Sequence, residues 1–285
     1  MFAFDLSSTP ASRPIAGWYK SGALVVKYNQ PWLPLALVAI TVWQPQVRAS
    51  IDLASAEGFA VMGASAVTST GGTVITGDLG VSSAGAITGF GPGLVNGTTY
   101  LGGAVQQLAD SDATAAYTTI IGEASGQNLT GDNLGGLTLL PGVNSFSSSA
   151  QLTGTLILNA EGNPNAQFVF QIGSTLTTAS GASIELINGA QADDVYWQVG
   201  SSATIGSGSV LNGNIIANTS ITMNTGSSLT GRAIALNGAV TLDDSSVSIA
   251  TVPEPNNLWA ALLCVTALGA GKGLSTWRRW RRRQA

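Results

Sequence analysis

Two stretches of this chain are nearly the same. Phe168-Val169-Phe170-Gln171-Ile172-Gly173-Ser174-Thr175-Leu176-Thr177 and Val195-Tyr196-Trp197-Gln198-Val199-Gly200-Ser201-Ser202-Ala203-Thr204 lie 27 residues apart, and each sets an apolar strand against a Ser/Thr-rich strand across a glycine. Self-similarity at a period of roughly 20 to 30 residues is the mark of a solenoid, in which every repeat is one coil stacked on the last. Aligning on an apolar residue followed by Ser or Thr extends the series to Phe146-Ser147, Leu176-Thr177, Ala203-Thr204, Ile221-Thr222 and Val240-Thr241, with steps of 30, 27, 18 and 19 residues. The shorter steps hold three short strands and three turns, so a mainly β, three-sided solenoid is expected. The longer ones carry loops such as Asn159-Ala160-Glu161-Gly162-Asn163-Pro164-Asn165, whose composition is turn chemistry.

Between Ser50 and Val252 there are thirteen acids and one basic residue, Arg232, and the chain has no histidine. That balance leaves no electrostatic footprint for a phosphate backbone, so nucleic acid is not expected as a partner. Acid/base catalysis and zinc or copper binding lose their usual ligands, and neither an enzyme, a cofactor nor a metal site is expected. The carboxylate pairs Asp193-Asp194 and Asp243-Asp244 are the only obvious catalytic candidates. Adjacent strand residues point to opposite faces, and both pairs read better as solvated turn residues. Calcium is conceivable there, but the Gly/Asp-rich repeat of calcium-binding β-helices is absent. Cys264, the single cysteine, lies in an apolar run, so no disulfide holds the domain together.

The ends have a different character. Lys20 and Lys27 precede the apolar run Leu33 to Val42, and Val47-Arg48-Ala49 offers a small-residue cleavage site, with Ala54-Ser55-Ala56 as a second candidate. Residues 1–49 therefore read as a secretory signal with an over-long front, the start lying nearer Val25. A run of ten residues containing Pro34 is short for a membrane anchor. At the other end, Val252-Pro253-Glu254-Pro255 precedes the apolar stretch Leu258 to Gly271 and the cluster Arg278-Arg279-Trp280-Arg281-Arg282-Arg283. This order, over residues 253–285, resembles the PEP-CTERM sorting signal of Gram-negative bacteria, with Pro253, Glu254, Pro255, Arg278 and Arg279 as its marks. The resemblance implies export, transient anchoring in the inner membrane by residues 258–277, and removal of the tail by an exosortase. Lys272 interrupts the span, and a plain single-pass anchor is the alternative.

From Gly103 to Ala124 the period changes to that of a helix. Val105, Leu108, Ala109, Ala113, Ala116, Tyr117 and Ile120 form the apolar stripe, while Gln106, Gln107, Asp110, Ser111, Thr114 and Thr118 take the other side. A helix of that length spans about seven layers spaced about 4.8 Å apart. Five coils follow residue 140, and Phe59 to Gly89 supplies about two more, so six to seven coils with the helix along one face are expected. The strands Phe168 to Ile172 and Val195 to Val199 are nearly continuous in apolar residues, as a strand buried on both faces is. They are expected under the helix, with Phe168, Phe170, Tyr196 and Trp197 in the core or at the helix contact.

Gly58-Phe59-Ala60-Val61-Met62-Gly63, Thr76-Gly77-Asp78-Leu79-Gly80-Val81, Leu129-Thr130-Gly131-Asp132-Asn133-Leu134, Phe146 to Leu156 and Phe168 to Thr177 together resemble the microbial ice-binding (antifreeze) family, over about residues 54 to 250. The resemblance implies a discontinuous three-sided β-solenoid whose N-terminal coils sit at one end, before a long helix carries the chain along the stack. It also implies adsorption to ice as the activity, with no cofactor and with the protein acting as a monomer.

Ice offers neither charge nor pocket, only a repeating plane of oxygens. A binder needs a flat, regularly spaced surface of side chains with little entropy to lose, and threonine serves because β-branching restricts χ1. One candidate ladder is Thr177, Thr204, Thr222 and Thr241, preceded by Thr68, Thr70 and Thr76. A second follows the family's edge motif Thr-Ala/Gly-X-Thr/Asn, whose equivalents read Ser149-Ala150-Gln151-Leu152, Ser180-Gly181-Ala182-Ser183, Ser207-Gly208-Ser209-Val210 and Thr225-Gly226-Ser227-Ser228. Only the last keeps the threonine. Glu185 and Arg232 are expected on the neighbouring strand, where charge would limit the flat area. A secreted matrix or adhesion protein without action on ice is the alternative function.

Overall fold

In the computed structural model, residues 51–91 and 93–249 are described. The signal and sorting segments expected at 1–49 and 253–285, with Pro253, Glu254, Pro255, Arg278 and Arg279, lie outside these residues. Among the described residues no helix is long and apolar enough to cross a membrane.

Short parallel strands wind into a stack with three walls. The first wall is a seven-stranded sheet in the order Ala150–Leu152, Leu176–Thr178, Ala203–Ile205, Ile221–Met223, Ala239–Asp243, Ala66–Thr70 and Ala86–Thr88. Its central residue is wet and its two neighbours are buried in Leu176–Thr178 and Ala203–Ile205, the alternation that a three-residue strand with one inner face produces. The other two walls share one sheet. They join through the eight-residue strands Val210–Ala217 and Ser228–Ala235, which turn the corner at Gly213 and Gly231. These glycines are in register, with φ of 117° and 139°. A Cβ on Gly231 would come within 2.1 Å of the Gly213 carbonyl oxygen, so only glycine fits where one coil's corner sits on the next.

The order of coils is not the order of the chain. Ala66–Thr70 pairs with Ala239–Asp243 near the chain's far end, and Phe59–Gly63 pairs with Ser228–Ala235. The N-terminal coils thus extend the stack beyond the C-terminal one, which is the discontinuity expected.

The helix, α1 (Ala104–Gly122), lies along the wall that includes Phe168–Ile172 and Val195–Val199. Its 19 residues reach about 28 Å, or about six coil spacings. Ala109, Ala113, Ala116 and Ile120 are buried against Phe59, Met62, Val143, Val169, Tyr196, Ile216 and Ile234, so a face of small residues lets the helix lie close to the sheet. Three face assignments are corrected: Val105 and Leu108 are half exposed, and Gln106 is fully buried. The helix is rotated so that position 106 continues the line of 109, 113, 116 and 120. The Gln106 amide NH2 donates to the Asp110 carboxylate, while its Oε1 is buried without a hydrogen-bond partner.

The interior is filled by one apolar cluster. Phe168, Phe170 and Trp197 belong to it, with the Phe170 and Trp197 rings stacked 3.8 Å apart and 5° from parallel, while Tyr196 belongs to the layer under the helix. The Trp197 indole N–H donates to the Asn212 carbonyl at 3.0 Å, so the largest core side chain leaves no polar atom unpaired.

Candidate functional site

The seven-stranded wall gathers threonines from distant parts of the sequence. Thr177 is in register with Thr204, Thr204 with Thr222, Thr222 with Thr241, Thr241 with Thr68, and Thr68 with Thr88. Thr177, Thr204, Thr222, Thr241 and Thr68 each stand between two buried residues and point outward, and Thr88 is exposed beside half-buried Ile87, so the hydroxyls form one column spaced about 4.8 Å apart. Gln151 stands next to Thr177 at the far end. The Thr88 hydroxyl lies 3.4 Å from that of Thr68.

Sequence reading found Thr177, Thr204, Thr222, Thr241 and Thr68 and missed Thr88. The signal was present: Ala86-Ile87-Thr88 has the same pattern as Ala203-Thr204, but its coil carries too little of the repeat to align. Thr76 is corrected. It sits on the open wall, the third one, which carries neither the ladder nor the helix, in register with Ser248 and Asn96. Phe146-Ser147 is also not equivalent to Leu176-Thr177, because Phe146 pairs with Ile172 on the helix-covered wall and Ala150-Gln151 takes the ladder position. For the same reason Ser149-Ala150-Gln151-Leu152 is a strand and not an edge turn.

The edge motif does form a stack of like turns. Gly181, Gly208 and Gly226 have φ of 69°, 68° and 72°, which glycine adopts without strain, and Ser180, Ser207 and Thr225 before them are exposed. The Gly181 N–H donates to the Ser207 carbonyl at 2.9 Å and the Gly208 N–H to the Thr225 carbonyl at 3.0 Å, which locks the turns coil to coil. The fourth positions of the motif are less regular. Ser183 and Ser228 fall on the open wall with Val210 between them in register, and Val210 is half exposed.

Asp243 occupies the outer position after Thr241, in register with Thr70. One of its carboxylate oxygens accepts the Thr70 hydroxyl at 2.6 Å and the other accepts the Thr225 hydroxyl. These bonds, Thr225 first and then Thr70, hold its carboxyl below the ordinary carboxylate range. Asp244 accepts the Gly72 N–H at 3.0 Å. The pair is solvent-facing at the end of its strand, and both carboxylates are also engaged with neighbouring coils.

The expected charges fall apart. Glu185 is exposed on the open wall opposite Ile157. Arg232 is not beside it but buried at the helix-covered wall, where it bonds the Asp193 carboxylate at 2.8 Å, the Asn214 side chain at 2.9 Å and the Glu57 carbonyl at 2.8 Å. The cause is the corner at Gly231, which carries the rest of the strand onto a different wall. Asp193 is thus the counter-ion of Arg232 rather than a free turn residue. Burial, with the neighbouring Asp193 charge, raises the Asp194 carboxyl above its ordinary range. These groups border a cleft of about 370 Å³ that also touches Asp52 and Tyr196, on a different wall from the ladder. Among the described residues no group of His, Cys, Asp or Glu is arranged to hold a metal ion.

Fold and site together define a class: a parallel β-solenoid, braced by one helix, that presents a regular hydroxyl ladder instead of a pocket. The chain belongs to the Ice-binding-like family, whose model matches residues 61–248. It is 49% identical to a protein from Nostoc sp. (strain HG1) named "Ice-binding protein", over 84% of this chain and 93% of that one. Among solved structures, an ice-binding protein from an Antarctic biological consortium is 44% identical with a TM-score of 0.70, covering 73% of this chain and 95% of that one. The ice-binding protein of the Antarctic ascomycete Antarctomyces psychrotrophicus is 37% identical with a TM-score of 0.69, covering 72% and 100%.

Proposed function

We propose that this protein adsorbs to ice through the seven-stranded wall and thereby inhibits ice growth and recrystallisation. The observation that carries the reading is the unbroken register of Thr177, Thr204, Thr222, Thr241, Thr68 and Thr88 on one wall. A stiff backbone ladder spaces the hydroxyls, and each threonine adds a methyl whose χ1 preference keeps the hydroxyl in place. Little entropy is then lost when an ordered water layer forms on the wall. Ser180, Ser207 and Thr225 widen the surface along one edge. Ser183 and Ser228 belong to its far margin around the corner. No catalytic step is needed, since adsorption alone halts growth.

Relatives named for ice binding support this reading, as does the ladder's freedom from charge along its central column. The experiment is to measure crystal shaping and recrystallisation inhibition by the full chain beside a Thr222→Tyr, Thr225→Tyr variant. Shaping by the parent that the folded variant loses supports the reading. A folded parent without effect at high concentration sinks it and moves the bet to an extracellular matrix or adhesion role.

The same reading places the protein outside the cell, exported by the N-terminal segment and held transiently at the inner membrane by the tail until an exosortase-type enzyme removes it. Cleavage after Ala49 suits the fold better than cleavage after Ala56. Ile51, Leu53 and Ala56 are buried against the helix, and Ser55 donates twice to Asp112, so the later cut would remove part of the packed domain. Intact mass of the protein recovered from its host reads both cuts; a mature form beginning at Glu57 or retaining Arg278 contradicts the corresponding step.

A further inference from the structure

We propose that Asp243 is a positioning residue of the ice-binding wall, acting through Thr70 and Thr225; the inference rests on the ice reading above. The coil that carries Asp243 has a turn one residue shorter than the coil before it: Met223 pairs with Leu242 and Ser228 with Ser246. Asp243 follows Leu242 and is level with Asn224, and the shortening comes after it; its carboxylate reaches Thr225 of that coil on one side and Thr70, its register partner, on the other. Each threonine hydroxyl has a single proton, and both protons are committed to Asp243. Their lone pairs are left to face outward. Three adjacent coils thus present a fixed row of acceptors at the edge of the wall, and the first water layer must point hydrogens toward it.

The same bonds hold the two side chains. β-branching already restricts χ1 at both threonines, and a bond to a charged acceptor, among the stronger ones available at a surface, selects one of the rotamers left. Asp244 supports the arrangement from behind, since its own carboxylate anchors the Gly72 N–H of the turn that follows Thr70. An isolated charge on this wall would hold disordered water; with two hydroxyls donating to it, the carboxylate becomes part of the ladder's spacing.

The test uses the full chain. The threshold concentration for recrystallisation inhibition is compared for the parent, Asp243→Ala, Asp243→Asn, and Asp243→Ala on a Thr70→Val, Thr225→Val background. Asp243→Ala is expected to raise the threshold about tenfold, and Asp243→Asn, whose amide oxygen accepts one hydroxyl while its NH2 must donate to the other and so frees that proton, by an intermediate factor of about threefold. On the valine background the alanine change adds less than about twofold, because the groups it acts through are gone. An alanine variant as potent as the parent, or more potent, overturns the inference, as does an undiminished further loss on the valine background. Should the alanine variant fail to fold, side-chain couplings of Thr70 and Thr225 in the parent decide: a single rotamer at both is expected, and averaged couplings overturn it. A folded parent without any action on ice removes both this inference and the function it rests on, whereas an active parent indifferent to every Asp243 change removes only this one.

Discussion

At the scale of single residues, the wall's column is held in place by what lies on either side of each threonine. Thr204 stands between Ala203 and Ile205, both about 1% exposed, so the backbone there cannot tilt without opening the core. Thr204→Val keeps the shape and β-propensity and removes one hydroxyl; stability is expected to change by less than about 1 kcal/mol while the recrystallisation threshold rises a few-fold. Paired melting and ice assays check this, and equal loss in both would mean the hydroxyl is structural. Arg232 is the contrasting residue, nearly buried and paired with Asp193 far from the ladder. Arg232→Ala leaves that carboxylate without its counter-ion and is expected to cost about 3 kcal/mol in denaturant unfolding, with crystal shaping retained wherever the protein is folded. The two residues also differ in how far they could be read in advance. An apolar-Thr-apolar strand repeated at near-constant steps announces its own exposure, whereas Arg232 lies on a strand that continues round a corner. Counting along that strand gives no warning of the new wall, and only the clash of Gly213 against Gly231 shows where the turn must be.

At the scale of elements, the helix illustrates why periodicity identifies a segment better than it orients one. Its apolar residues cover more than one face, and Val105 and Leu108 compete with the alanines for the sheet. The alanines take it because the wall beneath already bears bulky side chains, among them Phe59, Met62, Val169 and Tyr196, and only small residues let the helix approach. Overpacking that face tests the argument. Ala113→Leu is expected to destabilise by about 2 kcal/mol, while Leu108→Gln changes stability by less than about 0.5 kcal/mol. Thermal unfolding of the two variants separates them, and equal effects would contradict the rotation of the helix described above. The strand repeat shows the same limit from the other side. Existence and type of the strands were legible because turns and apolar runs alternate regularly, but the coil at Gly142–Asn159 slipped by one wall in the alignment, since Phe146-Ser147 imitates the ladder pattern on a helix-covered strand.

At the scale of the whole molecule, the acidic domain is tied together by carboxylates whose protonation responds in opposite directions. Asp194 and Asp110 have their carboxyls raised, chiefly by burial; on acidification they take up protons earlier in the folded state than in the unfolded chain, so stability rises as pH falls into the ordinary carboxylate range. Asp112 and Asp243 are lowered, by the Ser55 hydrogen bonds and by Thr225 with Thr70; their contributions persist until the pH falls below the ordinary carboxylate range and are lost as it passes through the lowered values. The melting temperature is therefore expected to pass through a maximum in mild acid and to fall at lower pH. The second limb is informative about architecture, because Asp112 fastens the segment before the first strand to the helix and Asp243 joins the C-terminal coil to the N-terminal one. Loss at those points opens the seam where the first and last described coils meet in the stack, and the ladder crosses that seam between Thr241 and Thr68. Hydrogen exchange followed down the pH range should show Ala66–Thr70 and Ala239–Asp243 losing relative protection before Leu176–Thr178 and Ala203–Ile205. A uniform loss across all four strands would mean that the seam is no weaker than the continuous coils.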